Sequence, residues 1–141
     1  PRRLTLGLEV NRVHMVLAII QKHIGIQISD QDVFINIVGG LKSNDTTADL
    51  PIALATLSSH RNMSLSRDMI CFGELGLSGE VRPISNGVER IKEAEKLGFK
   101  YAIVPRGNVP KNSNGKIEII PVDTLSDAYQ SIVDKELLFK L

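Results

Sequence analysis

Glu74 and Glu80 bracket the link GLSG in the run GELGLSGEVRP, residues 73–83. Two carboxylates held that close are raw material for general acid and base catalysis. Loop carboxylates also bond backbone amides or pair with a nearby cation, and Arg82 stands beside them, so the pair reads as structural. His14, His23 and His60 share no metal-ligand spacing, and each reads as an ordinary helix residue. The single cysteine, Cys71, excludes an internal disulfide and a cysteine-built zinc site. It lies in the apolar run MICFG, where a thiol is buried and inert. GLSGEV lacks the Lys and Ser or Thr of a phosphate-cradling loop, so the sequence carries no ATP signature. Arg2, Arg3, Arg12, Lys42, Arg82 and Arg90 are dispersed, and each by itself reads as a solvated surface charge.

These residues must be positioned by an alternation of strands and helices. RLTLGLEV carries Leu4, Leu6 and Leu8 at the period of a half-buried strand. Asn11 can cap a helix that runs through the apolar stretch 13–20 and stops at Gly25. DVFINIV, residues 32–38, is a β-branched strand ended by Gly39 and Gly40. ADLPIALATLSSH is a helix with Thr47 or Asp49 as its cap and Pro51 tolerated in the first turn.

MICFGEL and GEVRPI are strands joined in hairpin fashion by GLSG. Ser85 or Asn86 opens a helix whose apolar face is Val88, Ile91, Ala94 and Leu97, with Gly98 as its stop. KYAIVP is a strand, RGNVPKNSNGK a polar loop and IEIIPV a short strand. TLSDAYQSIV is a last helix with Thr124 and Asp127 in a capping pattern. The reading is a single α/β (α+β) domain over residues 1–134, a mixed sheet packed with helices, and a tail 135–141 of open order.

The chain has 141 residues, 43% of them hydrophobic and 23% charged, enough for one sizeable core. Seventeen Lys and Arg against sixteen Asp and Glu give a net charge of +1, so any nucleic-acid contact depends on local clusters of cations. Aromatic residues are 4% of the chain, which excludes a base-stacking platform. No apolar run suffices for a membrane helix and no secretory leader is present, so a cytoplasmic protein with no membrane partner is expected. The first residue is Pro1, and the chain reads as an excised C-terminal part of a longer protein.

The segments NRVHMVLAIIQKHIGIQISDQDVFINIVGGLKSNDTTADLPIALA and FGELGLSGEVRPISNGVERIKEAEKLGFKYAIVP resemble the C-terminal domain of the RadA (Sms) family of bacterial DNA repair proteins. That domain is in turn similar to the proteolytic domain of Lon proteases. The resemblance implies a Lon-protease-like fold of the ribosomal protein S5 domain 2 type. It also implies a parent protein with an upstream zinc finger and RecA-like ATPase, so that zinc, ATP and magnesium belong outside this chain. A hexameric ring, ATP-dependent helicase work on single-stranded or branched DNA, and a RecA-type recombinase as partner are implied as well.

Lon-type peptidases pair a serine at a helix start with a lysine base. Matched to that pattern, the serine position is Thr47, the following small residue is Asp49 and the lysine position is Val88. Val88 cannot take a proton, and the nearby amines Lys42 and Lys92 lie off the matched position. The resemblance therefore implies a protease fold without its protease. What remains for this chain is surface: a scaffold for self-association, and Arg3, Arg12, Lys42 and Arg82 at element ends and loops as candidate DNA-phosphate contacts.

Overall fold

The computed structural model describes residues 1–36, 46–112 and 115–141. Among these residues the strands are β1 (Arg3–Leu6), β2 (Val33–Asn36), β3 (Met63–Leu65), β4 (Met69–Cys71), β5 (Glu74–Leu75), β6 (Val81–Arg82), β7 (Tyr101–Pro105), β8 (Glu118–Val122) and β9 (Leu138–Lys140). The helices are α1 (Val10–Ile24), α2 (Asp49–His60), α3 (Gly87–Lys96) and α4 (Leu125–Asp134), with short 3-10 turns at Thr46–Ala48 and Arg106–Asn108. The class is mixed α/β. In place of one mixed sheet, the described strands form four small ones: parallel β1-β2, antiparallel β3-β9, parallel β4-β7-β8 and antiparallel β5-β6.

The β4-β7-β8 sheet is buried on both sides, which is why its central strand reads as an unbroken apolar run. Ile103 of β7 joins Val13, Val16, Leu50, Leu54, Leu125 and Ile132 in the main core. On the opposite face of β7, Ala102 and Val104 pack with Phe72, Ile91, Ala94 and Ile117 under α3. Each large side chain taken out of water contributes about 1.5–3 kcal/mol. Leu97, expected on the buried face of α3, is 68% exposed. The helix has ended there, Gly98 turns the chain at φ 91°, and Phe99 packs against that second cluster instead.

Two expectations at the N-terminal end need correction. Asn11 does not cap α1; Glu9 does, its carboxylate accepting the Asn11 N–H at 3.0 Å, while Gly25 closes the helix at φ 80°. β1 is turned the other way from its leucine period: Leu4 and Leu6 are 53% and 56% exposed, and Arg3 and Thr5 are half-buried. Parallel register puts Arg3 and Thr5 on the same face as Val33 and Ile35, which pack against the core. Arg3 is tolerated on that face because its guanidinium donates to the carbonyls of Ile28 (3.1 Å), Ser29 (3.4 Å) and Gln31, closing the turn before β2.

The hairpin is present as β5 and β6, with Glu74 opposite Arg82, and it is stitched to the start of α4. The Val81 N–H donates to Asp123 O, the Leu125 N–H to Gly79 O, and Glu80 forms an antiparallel bridge with Thr124. Residues 135–141 are ordered: Leu137 is buried and β9 pairs with β3. Of the strand expected over 32–38, residues 37 and 38 lie outside the described residues, as does Lys42.

Candidate functional site at the start of the second helix

Of the positions matched to peptidase chemistry, Thr47 and Asp49 lie at the start of α2 and Val88 lies in α3. Thr47 lies in the 3-10 turn Thr46–Ala48 and is not the helix cap. Ala48 holds the N-cap position, with no side-chain cap bond. The turn is laced to the chain before β5, the Gly73 N–H donating to Thr47 O and the Leu50 N–H to Gly73 O, each at 3.1 Å. Only glycine fits between: a Cβ at Gly73 would stand 2.8 Å from Val81 Cγ1 and 3.3 Å from Pro105 Cγ, at a φ of 151°.

Asp49, also expected as a cap, is the first residue of α2 and only 1% exposed. Its Oδ1 accepts from Arg12 Nε at 2.8 Å, and its Oδ2 accepts from Arg12 Nη2 and from the Leu75 N–H at 2.9 Å. A bidentate guanidinium and a backbone amide satisfy a carboxylate that would be costly to bury alone. The hydrogen bond to Asp49 is the main cause holding the Arg12 guanidinium above its ordinary range, against some desolvation. Glu74 Oε1 lies 3.9 Å from Arg12 Nη2, on the outer side of the pair. The carboxylate of Asp49 thus ties α1 and β5 to the start of α2.

Val88 is half-buried in the first turn of α3. That turn is set by Asn108, whose side chain donates to Ile84 O and accepts the Ile84 N–H, both at 2.9 Å. A Cβ at Gly87 would lie 2.5 Å from Asn108 Nδ2. Asn108 was not singled out by sequence reasoning. Neither the loop that holds it nor the segment 83–87 carries a local sign of the other.

The candidate cations are placed differently from one another. Arg12 and Arg82 both neighbour Glu74, the first across the ion pair and the second across the β5-β6 ladder. Arg82 is paired with Glu80 at 2.9 Å but keeps 52% of its side chain exposed, whereas the Arg12 side chain is 26% exposed. Arg3 is engaged with the carbonyls before β2. The Glu80 carboxylate is held below its usual range, chiefly by Arg82, and its Oε1 accepts the Ser78 N–H at 3.1 Å, as expected for a structural loop charge. Among the described residues no group of three or more His, Cys, Asp or Glu is arranged to hold a metal ion. No described helix is long and apolar enough to cross a membrane.

Fold and site together define a small mixed α/β domain whose central helix start is sealed by a buried ion pair. Residues 9–108 match the family described as subunit ChlI of Mg-chelatase, and the chain belongs to that family. It is also similar to proteins named DNA repair protein RadA. The one from Haemophilus influenzae is 52% identical over 128 residues, 91% of this chain and 28% of the relative. That of Pseudomonas aeruginosa is 51% identical over 134 residues, 95% of this chain and 30% of the relative. That of Escherichia coli K12 is 52% identical over 128 residues, with the same coverage as the first. The chain spans under a third of the length of these relatives.

Proposed function

We propose that this chain is a noncatalytic, Lon-protease-like domain of a RadA-type ATP-dependent DNA repair and recombination motor, a branch-migration helicase. Its contribution is a scaffold for self-association and a set of cations along a DNA path. The observation that carries the noncatalytic part is the carboxylate of Asp49, clasped by Arg12 and the Leu75 amide beside Thr47. A nucleophile needs a base and an oxyanion site there; Val88 supplies no base, and a fixed negative charge fills the site.

The DNA-repair part is supported by the names of relatives that match over 91–95% of this chain. A hexameric ring and a RecA-type recombinase partner belong to the same reading. ATP, magnesium and zinc belong to other parts of the longer relatives, because this chain has neither a phosphate-cradling loop nor the cysteines for a zinc site.

Of the candidate phosphate contacts, Arg82 is the described one whose head is most open to solvent; Arg3, Arg12 and Lys42 complete the set. Each phosphate neutralised releases a condensed counterion, so affinity falls with salt. Fluorescence anisotropy of labelled single-stranded DNA against salt, on the assembled full-length protein, tests this reading. Arg82→Ala should weaken binding and reduce the salt slope by about one. Unchanged affinity and slope in the variant with all four cations replaced by alanine would leave a pure scaffold. Cleavage of fluorescent casein that disappears in Thr47→Ala would restore the peptidase reading. Thr47→Ser with Val88→Lys should yield no turnover while Asp49 remains.

A further inference from the structure

The link GLSG, residues 76–79, is bonded along its length and still presents an apolar side chain to water. The Gly76 N–H donates to Glu80 O at 3.0 Å and the Gly79 N–H to Gly76 O at 2.9 Å, which closes a turn with Leu77 and Ser78 at its tip. Gly79 O accepts the Leu125 N–H at 2.8 Å, and Glu80 Oε1 accepts the Ser78 N–H at 3.1 Å. Leu77 O lies 3.0 Å from His23 Nε2 at the end of α1; a carbonyl only accepts, so that nitrogen carries the proton. Gly79 leaves room for the ring, since a Cβ there would stand 2.9 Å from His23 Cγ at a φ of 80°. The ends of α1 and α4 thus fix the backbone of the link, and Leu77 is 68% exposed.

A singly exposed leucine is ordinary by itself. Here its backbone is ordered before any partner arrives, so inserting it costs little further entropy. No other exposed large apolar side chain lies on β5, the link or β6. A protein interface surrounds its anchor with more apolar surface, whereas a wedge between base pairs needs one apolar side chain flanked by cations that hold phosphates. Lys22, next to His23, is exposed, and Arg82 keeps 52% of its side chain exposed. The carboxylate beside the tip, Glu80, is already bonded to Arg82 and to the Ser78 N–H.

We infer that Leu77 is an apolar wedge that enters the base stack at the end of a DNA duplex where the strands part, with Lys22 and Arg82 on the flanking phosphates. The last base pair at a fork has a stacking neighbour on one side only, so insertion there costs least. His23 is a positioning residue that holds the Leu77 backbone. The wedge rests on the DNA path of the proposed function and adds the side chain that parts the bases.

Forked DNA carrying 2-aminopurine in the last base pair, a base whose fluorescence rises on unstacking, tests this on the assembled full-length protein. The wild type should raise the fluorescence on binding. Leu77→Ala should lose that rise and bind with an unchanged salt slope, because no cation is removed. Leu77→Phe, still a large apolar wedge, should keep the rise. His23→Ala should lower it with Leu77 in place. Leu77 is exposed, so folding should be spared, as circular dichroism would show. A rise in Leu77→Ala equal to that of the wild type, or wild-type binding with no rise, would overturn the wedge and leave phosphate binding standing. An unchanged rise in His23→Ala would overturn the positioning role alone. Loss of assembly in Leu77→Ala, seen by light scattering, would put the side chain at a protein contact and overturn the wedge. A wild type that binds no DNA even at low salt would overturn the DNA path and the wedge together.

Discussion

α4 takes its side-chain cap from its own residues, although its backbone is also tied to the hairpin: Thr124 Oγ1 accepts the Asp127 N–H at 3.1 Å, and Asp127 reaches back to the Asp123 N–H at 3.3 Å. α2 begins on residues brought from elsewhere. Its N-cap is Ala48, which offers no side chain, and its first carboxylate is satisfied by Arg12 from α1 and by the Leu75 amide from β5. A side-chain cap drawn from within four residues is a local device, worth about 1 kcal/mol. A helix start completed by two distant elements ties those elements together.

The contrast has measurable consequences. The largest belongs to Arg12→Ala, which leaves Asp49 buried with one backbone partner. Urea denaturation followed by circular dichroism should register a loss of about 3 kcal/mol, the low end for breaking a buried pair because Arg12 is partly exposed. An effect like that of a surface change, under about 0.5 kcal/mol, would remove the distinction between the two helix starts. Thr124→Ala should cost about 1 kcal/mol by the same measurement, since only the cap is lost.

The smallest effect concerns Cys71, the last residue of β4. Burial pushes its thiol from 9.0 up to about 12. The folded state therefore keeps a proton that the unfolded chain releases, and stability from this group is full below about pH 9 and declines as pH rises toward 12. Native protein at pH 8 should leave a thiol reagent unreacted while unfolded protein reacts at once. Prompt labelling of the native chain would contradict the burial.

The same division explains how much could be read from the amino-acid sequence. Elements whose signals are local were legible: Gly25 as a helix stop, the apolar run of β7, Thr124 as a cap, and the hairpin around GLSG. The α/β class followed from their alternation. The orientation of β1 was not legible, because the period of Leu4, Leu6 and Leu8 states which residues share a face but not which face meets the core. Arg3 decides that through carbonyls of residues 28, 29 and 31.

At the candidate site, Thr47 and Val88 were matched to dyad positions through the resemblance alone. The roles of Asp49 and Asn108 were not legible, because their partners lie 37 and 24 residues away in the chain. Arg12 illustrates the gap most clearly. As a residue type at a helix start it reads as a phosphate contact, and in the fold its guanidinium is the partner of a buried carboxylate.

A double-mutant cycle with Arg12→Ala, Asp49→Ala and the pair, measured by urea denaturation, tests most directly whether the start of α2 is sealed by this ion pair. The account predicts a coupling energy of about 2 kcal/mol, in the upper part of the range for residues in direct contact. Additivity within about 0.5 kcal/mol, as for residues that do not touch, would contradict it.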